Sequence, residues 1–172
     1  AVIGAGPAGL MASYDLRGCG HDVVVFEAAS RPGGMLRQAV PEFRLPAEVL
    51  DREIGLLEEM GVSFSCGARM DGERIPAIVD AFDALVVASG CTASRRLGVE
   101  GEDLDGVHYA LPFLAGIRAG DPPAVGSRVI VIGGGNAALD AAQSALRLGA
   151  REVSLVCLEP RAEMPAFPWA LE

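Results

Sequence analysis

Two groups of small residues in this sequence have the spacing that holds a dinucleotide. The positions that define the pattern are Gly4, Gly6 and Gly9 in the first group and Gly133, Gly135 and Ala138 in the second. The first position makes a tight turn, the second lets the backbone approach a pyrophosphate, and the third lets a helix pack closely on a strand. The phosphates then lie on free N–H groups at the positive end of that helix. An ordinary turn of an α/β sheet is the simpler alternative for either group.

An acidic residue follows each group at a distance that suits the dinucleotide pattern. Glu27 lies 18 residues after Gly9, and Glu159 lies 21 residues after Ala138. Both are expected at the end of the next strand, where a carboxylate accepts hydrogen bonds from a ribose diol. Two complete patterns predict two dinucleotides. A flavin and a nicotinamide cofactor are the natural pair, because hydride passes between them.

Strand and helix patterns surround both groups in the same order. In the first unit they predict a strand at 1–3, a helix to about residue 17 and a strand at 23–26; in the second, a strand at 129–132, a helix at 139–148 and a strand at 153–158. A further helix is expected from Pro46 to before Gly61, with strands at 62–65 and 84–88. The predicted fold is therefore α/β, with two Rossmann-like dinucleotide-binding units.

The boundary between the two units is predicted at residues 119–127, which are rich in glycine, proline and small polar residues. The first unit would then span 1–118 and the second 128–172. The chain begins inside an apolar run, and its second unit has a single strand–helix–strand. Both ends are therefore expected to be incomplete, which would leave Phe167 and Trp169 exposed.

Composition and charge exclude several classes of function. The 172 residues are 51% apolar and carry a net charge of −9, with arginine as the only strong base. A broad nucleic-acid surface needs clustered positive charge and is not expected. No apolar run reaches the length of a membrane span. The four cysteines form no C-x-x-C pair, so neither a metal site nor a redox dithiol is predicted, and a cytoplasmic location is expected.

Several further motifs accompany the glycine groups. They are F-E at 26–27, R-P-G-G-M-L at 31–36, P-E-F-R-L-P at 41–46, V-A-S-G at 87–90, G-V-E-G-E-D-L-D-G-V at 98–107, V-I-G-G-G-N-A-A-L-D-A-A at 131–142 and E-M-P-A at 163–166. In combination they resemble the small (beta) subunit of glutamate synthase and the flavin domains of dihydropyrimidine dehydrogenase and ferredoxin-linked transhydrogenases. The resemblance implies FAD in the first unit and NAD(P)H in a second unit that is inserted into the first. It also implies that electrons pass to an iron–sulfur domain or subunit, such as a large glutamate synthase-type subunit or ferredoxin.

The resemblance also implies roles for residues of the first unit. The expected FAD-binding positions are Gly4, Ala5, Gly6, Pro7, Ala8 and Gly9 at the pyrophosphate, Glu27 at the adenosine ribose, Gly33, Gly34, Met35 and Arg44 near the flavin, Met70 near the adenine, and Ser89 and Gly90 after a strand end. A solvated surface arginine is the alternative for Arg44, and a core methionine is the alternative for Met70. No side chain is assigned a catalytic role, because hydride transfer between stacked rings requires alignment rather than a base.

In the second unit the resemblance implies a nicotinamide coenzyme. The expected binding positions are Gly133, Gly134, Gly135, Asn136, Ala137, Ala138, Glu159 and Arg161. A carboxylate at Glu159 favours a free ribose 2′-hydroxyl and repels a 2′-phosphate, so NADH is expected to be slightly preferred, although Arg161 could meet the phosphate. A flavin monooxygenase and a nucleotide-binding module without turnover are the alternative functions.

Overall fold

The computed structural model describes residues 1–171. Its strands are β1 (Val2–Ile3), β2 (Val24–Glu27), β3 (Ser63–Cys66), β4 (Val86–Val87), β5 (Arg128–Ile132) and β6 (Glu152–Val156). Its α-helices are α1 (Pro7–Gly18), α2 (Met35–Gln38), α3 (Ala47–Glu59), α4 (Ile75–Ala81), α5 (Ala110–Arg118) and α6 (Asn136–Arg147). Two short 3₁₀ segments follow, Arg161–Glu163 and Pro168–Ala170.

The first sheet is parallel and has the strand order β3-β2-β1-β4. Its core is formed by buried apolar side chains of β1, β2 and α3 and of the residues next to these elements: Val2, Ala5, Val23, Val25, Leu57 and Val62. Parallel strands need crossover connections, and α1 supplies the one between β1 and β2. Helix α1 packs on β1 and β4. The first glycine turn lies between the carboxyl end of β1 and the start of α1.

The second sheet consists of β5 and β6, which pair in parallel from Arg128↔Glu152 to Ile132↔Val156. Helix α6 packs on both strands, and α5 packs on α6. Ile130 and Ile132 alternate along β5 with the half-buried Val129 and Val131 and are about two-thirds exposed. The predicted α/β fold with two strand–turn–helix–strand units is confirmed.

Contacts within the chain define two compact units. The first comprises Ala1–Gln38 and Glu42–Thr92, and the second comprises Ala39–Pro41 and the residues from Ala93 onward. Helix α5 belongs to the second unit because it packs on α6. The contact boundary thus falls before α5, whereas the sequence pattern placed it at 119–127, the irregular stretch between α5 and β5. The assignment of 1–118 and 128–172 to separate cofactors stays a prediction.

The described chain contains neither a long apolar helix nor a metal-type cluster. No helix within residues 1–171 is long and apolar enough to cross a membrane. In the same residues, no group of three His, Cys, Asp or Glu side chains is placed to hold a metal ion. All four cysteines are free.

Candidate functional site

The first glycine turn has two positions where the protein itself requires glycine. Gly4 has a φ of 98°, and a Cβ built on it would lie 2.3 Å from the carbonyl oxygen of Ala88. A Cβ on Gly9 would lie 1.8 Å from the carbonyl oxygen of Gly4. A Cβ on Gly4 would also lie 3.1 Å from the Cα of Ser89, so the residue after Ala88 packs against this turn as well. These contacts fix the turn between the ends of β1 and β4.

Gly6 differs, because nothing in the protein requires glycine there. It occupies the N-cap position of α1 and has an ordinary extended backbone, with φ −78° and ψ −177°. The nearest atom to a Cβ at this position is the Cα of Gly34 at 3.9 Å, an ordinary contact distance. Helix α1 begins at Pro7 without a side-chain cap, so the free N–H groups of its first turn have no side-chain acceptor. Packing within the protein therefore does not explain the glycine at position 6, and its contact with a pyrophosphate stays a prediction.

Glu27, the last residue of β2, lies directly beneath the first turn. It is 7% exposed, and its Oε2 accepts a 2.7 Å hydrogen bond from the backbone N–H of Ala5. Its Oε1 accepts another from the N–H of Ala29 at 2.8 Å. The carboxylate thus supports the turn, and each oxygen keeps a second lone pair for a ribose hydroxyl. Burial, with a smaller effect from Glu27, raises the pKa of the paired residue Cys66, whose thiol therefore stays protonated.

The Gly33–Gly34 loop packs against the first turn through its backbone. The N–H of Gly33 donates to the carbonyl of Ala5 at 2.8 Å. A Cβ on Gly34 would lie 2.6 Å from the Cα of Gly6, and both loop glycines have a positive φ. The sequence assigned these glycines to a close approach of the flavin. The structure gives a second reason for them, which is the contact between loop and turn.

An ion cluster that sequence reasoning missed holds this loop. Arg31 Nη2 donates to both carboxylate oxygens of Asp51 at 2.8 Å, and Arg37 Nη2 donates to Oδ1 at 2.6 Å. The hydrogen bond from Arg37, and then that from Arg31, holds the pKa of Asp51 below its usual range. The arginines lie on the loop and α2, whereas Asp51 lies on α3, so no local spacing indicates the cluster.

The remaining predicted positions of the first unit lie in loops and at element ends. Met35 is the first residue of α2, and Arg44 lies half-buried in the turn that precedes α3. Met70 lies half-buried in the loop after β3, and Gly90 is exposed after β4. Their roles toward a cofactor stay predictions.

The second glycine turn repeats the geometry of the first. Gly133 has a φ of 135°, and its Cβ position lies 3.4 Å from the Cβ of Ala138. Gly135 caps α6 with φ −89° and ψ 174°, and no atom lies within 4 Å of its Cβ position. Helix α6 begins at Asn136, again without a side-chain cap. Ala137 follows, exposed, in the first turn of this helix.

The two units differ in the residue beneath the turn. In both, the N–H of the first glycine donates at 2.8 Å to the neighbouring strand, to the carbonyl of Phe26 in one unit and of Val156 in the other. The residues that follow these two are therefore structurally equivalent. They are Glu27 and Cys157.

Glu159 consequently does not occupy the place expected for it. Strand β6 was predicted to reach residue 158 but ends at Val156, because Ile132↔Val156 is its last pair with β5. Glu159 lies three residues beyond, in an exposed loop. The expectation that this acid ends the strand is wrong.

A segment after β6 folds back onto the second turn. The N–H of Ala166 donates to the carbonyl of Gly134 at 3.0 Å, and the N–H of Phe167 donates to Asn136 Oδ1 at 3.0 Å. The Cβ of Cys157 is 3.1 Å from the Cβ position of Gly134, which explains the glycine there by packing.

Arg161, Phe167 and Trp169 lie in the same segment after β6. Arg161 Nη2 donates to the carbonyl of Leu171 at 2.7 Å. Phe167 and Trp169 stack on each other with ring centroids 5.4 Å apart, and both are more than half exposed. Their predicted exposure is confirmed.

Known proteins are similar to this chain in sequence and in fold. The chain is 43% identical over 170 residues to the beta subunit of NADP(+)-dependent formate dehydrogenase from Moorella thermoacetica, which covers 96% of this chain and 24% of the relative. It is 38% identical over 189 residues to the small chain of glutamate synthase [NADPH] from Mycobacterium tuberculosis, covering 98% of this chain and 38% of that one. The expected resemblance to the glutamate synthase small subunit is confirmed.

The chain thus spans well under half the length of these relatives. Among solved structures, FprA from Mycobacterium tuberculosis in complex with NADPH superposes with a TM-score of 0.81. That match has 21% identity and covers 98% of this chain and 45% of FprA, which supports the fold. A family model matches residues 1–171, so the chain belongs to the pyridine nucleotide-disulphide oxidoreductase family.

Proposed function

We propose that this chain is the dinucleotide-binding part of an oxidoreductase that takes hydride from NAD(P)H onto FAD and passes the electrons to an iron–sulfur domain or subunit. One observation carries the proposal. Gly6 and Gly135 each cap a helix with an ordinary backbone and leave room for a Cβ, so a ligand explains these glycines better than the fold does.

FAD is proposed for the first unit. Its pyrophosphate would lie above Gly6 at the start of α1, where no side chain caps the helix and where N–H groups and the helix dipole favour an anion. Glu27 would accept hydrogen bonds from the ribose while it continues to support Ala5. The loop at Gly33 and Gly34 would border the flavin end of the cofactor.

NAD(P)H is proposed for the second unit, above Gly135 at the uncapped start of α6. When bound, FAD supplies the two-electron carrier that takes hydride from the nicotinamide and releases the electrons to a partner. The chain's contribution is to fix both dinucleotides, because alignment rather than a proton-transferring side chain is what this transfer requires.

The choice between NADH and NADPH is a finer proposal. We expect NADH to be slightly preferred, because the exposed carboxylate of Glu159 repels a phosphate and Arg161 is already bonded to Leu171. Cys157 in the place of the strand-end acid removes one source of that preference. The formate dehydrogenase and glutamate synthase relatives are named for NADP(+) and NADPH, and this favours NADPH.

The route by which electrons leave is proposed from the cysteines. Cys19, Cys66, Cys91 and Cys157 are all free and lie on different elements or loops of the described chain, so they offer no dithiol to receive electrons. An iron–sulfur partner, such as a large glutamate synthase-type subunit or ferredoxin, fits this better than a disulfide substrate.

FAD binding tests the proposal directly. The full-length protein should be yellow and should release FAD on denaturation. Gly6→Ala should abolish FAD binding, because the methyl group occupies the pyrophosphate position but meets no protein atom closer than 3.9 Å. Gly18→Ala, at the other end of α1 with open space around its Cβ position, is the matched control and should keep FAD.

Four results would count against the proposal. A colourless protein that FAD cannot reconstitute would contradict it, and so would a Gly6→Ala variant that keeps FAD. Oxygen consumption coupled to hydroxylation of a substrate would favour a flavin monooxygenase instead. Bound NADH that never bleaches a bound flavin would favour a nucleotide-binding module without turnover.

A further inference from the structure

We propose, on the basis of the FAD site proposed above, that Asp51 is a positioning residue for that site. It would hold residues 31–37, which form the loop and the start of α2, against the first glycine turn and so set the shape of the surface on which the pyrophosphate lies.

The carboxylate of Asp51 accepts hydrogen bonds from both ends of this segment. Arg31 Nη2 donates to the two oxygens of Asp51 at 2.8 Å each, and Arg37 Nη2 donates to Oδ1 at 2.6 Å. Arg37 also donates through Nε to the carbonyl of Pro32 at 2.5 Å, which ties its guanidinium to the loop itself. The short stretch between the arginines is therefore anchored to α3 at each end. Charge-assisted hydrogen bonds of this kind combine strength with a fixed geometry.

The anchored stretch touches the proposed pyrophosphate site without an intervening side chain. Gly33 donates its N–H to Ala5 at 2.8 Å, and the Cβ position of Gly34 lies 2.6 Å from the Cα of Gly6. On the other side, the Cβ position of Gly33 lies 2.9 Å from Leu50 Cδ2, a side chain of α3. Because the contact with the turn is backbone to backbone, no flexible side chain can absorb a displacement of the loop.

Asp51 is not needed to hold α3 in the fold. The helix buries Leu50, Ile54 and Leu57, which attach it to the core. The side chain of Asp51 is 41% exposed and that of Arg31 is 58% exposed. The Arg31–Asp51 pair, with this exposure, contributes little to the free energy of unfolding. Arg37 is only 15% exposed, but an asparagine at position 51 would keep an oxygen that accepts its hydrogen bond. Loss of Asp51 should consequently affect FAD binding more than it affects stability.

The test compares three forms of the full-length protein, which are the wild type, Asp51→Asn and Glu53→Gln. Glu53 lies on the same helix and pairs only loosely, at 3.4 Å, with its neighbour Arg52, so it serves as the matched control. Apoprotein is titrated with FAD, and binding is followed by flavin fluorescence. The absorption spectrum of the bound flavin and the thermal unfolding of each apoprotein are also recorded.

The expected result separates positioning from stability. Asp51→Asn should raise the Kd for FAD by about tenfold, the scale of one charge-assisted hydrogen bond discounted for exposure. The visible band of the bound flavin should shift, and the apoprotein Tm should stay within about 2 °C of the wild type. Glu53→Gln should match the wild type in all three measurements.

A double-mutant cycle adds a second criterion. Arg31 is 58% exposed, and its side chain donates to Asp51. Arg31→Gln combined with Asp51→Asn should therefore weaken FAD binding no more than Asp51→Asn alone.

Each contrary outcome has a distinct meaning. Wild-type affinity in Asp51→Asn would overturn the positioning role while leaving the FAD site intact. A loss of affinity matched by a large fall in Tm would make Asp51 a stability residue, and additive effects in the cycle would break the proposed link through Arg31. If neither the wild type nor Glu53→Gln binds FAD, the proposed function itself fails.

Discussion

The backbone N–H of Ala5 donates a 2.7 Å hydrogen bond to the carboxylate of Glu27, so the acid that ends β2 supports the turn that begins α1. The second oxygen of Glu27 accepts from Ala29, and the side chain is almost fully buried. One carboxylate therefore satisfies two backbone donors beneath the proposed cofactor.

Glu27→Gln should destabilise the protein even without a cofactor. An amide offers one accepting oxygen where two N–H donors point, so one buried N–H is left facing an NH₂ group. The expected loss is about 1–3 kcal/mol in the free energy of unfolding, measured by urea denaturation of the apoprotein. Glu59→Gln, exposed at the end of α3, should change stability little. Equal stability of the two variants would show that the paired hydrogen bonds of Glu27 to Ala5 and Ala29 do not contribute to the free energy of unfolding.

Gly9 and Gly55 should respond in opposite ways to alanine. A Cβ at Gly9 would lie 1.8 Å from the Gly4 carbonyl oxygen, so Gly9→Ala must displace α1 from β1 and should cost more than about 4 kcal/mol or prevent folding. Gly55 lies inside α3 with open space at its Cβ position, and Gly55→Ala should add up to about 1 kcal/mol. Thermal denaturation measures both, and a stable Gly9→Ala protein would contradict the packing described for the turn.

Coenzyme choice should respond to charge at residue 159. Glu159→Arg replaces a repulsive carboxylate with a guanidinium that can pair with a 2′-phosphate, so the ratio of kcat/KM for NADPH to that for NADH should rise by roughly tenfold or more. Glu163→Arg makes the same charge change four residues along, in the 3₁₀ segment, and should shift the ratio less. The full-length protein is assayed with both coenzymes. A wild type that clearly favours NADPH would mean that Arg161 outweighs Glu159.

The glycine turns could be predicted from the sequence because they are local. A positive φ at Gly4 and Gly133 and the close approach of Gly9 to Gly4 depend on residues within one turn and its helix. The spacing of the glycines therefore predicts their geometry without any knowledge of the rest of the chain.

The position of the acid in the second unit could not be predicted in this way. It depends on where β6 stops pairing with β5, and apolar residues continue past Val156 to Leu158. Pairing between strands is a tertiary property, so the pattern extended the strand too far and placed Glu159 where Cys157 lies.

Asp51 carried no local signal either. It looks like one of several exposed acids on an amphipathic helix, and its partners lie 14 and 20 residues away in sequence. Only the packing of α3 beside the Gly33 loop brings the three side chains together. The Gly33–Gly34 motif predicted a loop with close backbone contact. The charged side chains that hold this loop come together only in the folded chain.

The central claim, that the two turns bind two different dinucleotides, is tested most directly by anaerobic titration of the full-length protein with NADH and NADPH. Flavin absorbance is followed in the wild type and in Gly135→Ala, whose added Cβ meets no protein atom within 4 Å. The wild type should be yellow and bleach with about one equivalent of reduced coenzyme per FAD, because both carriers exchange two electrons, and with about half an equivalent more for each one-electron iron–sulfur centre that the protein carries. Gly135→Ala should keep its FAD and fail to bleach at that concentration. A Gly135→Ala protein that bleaches as the wild type does, or one that loses its FAD, would contradict the assignment of one dinucleotide to each turn.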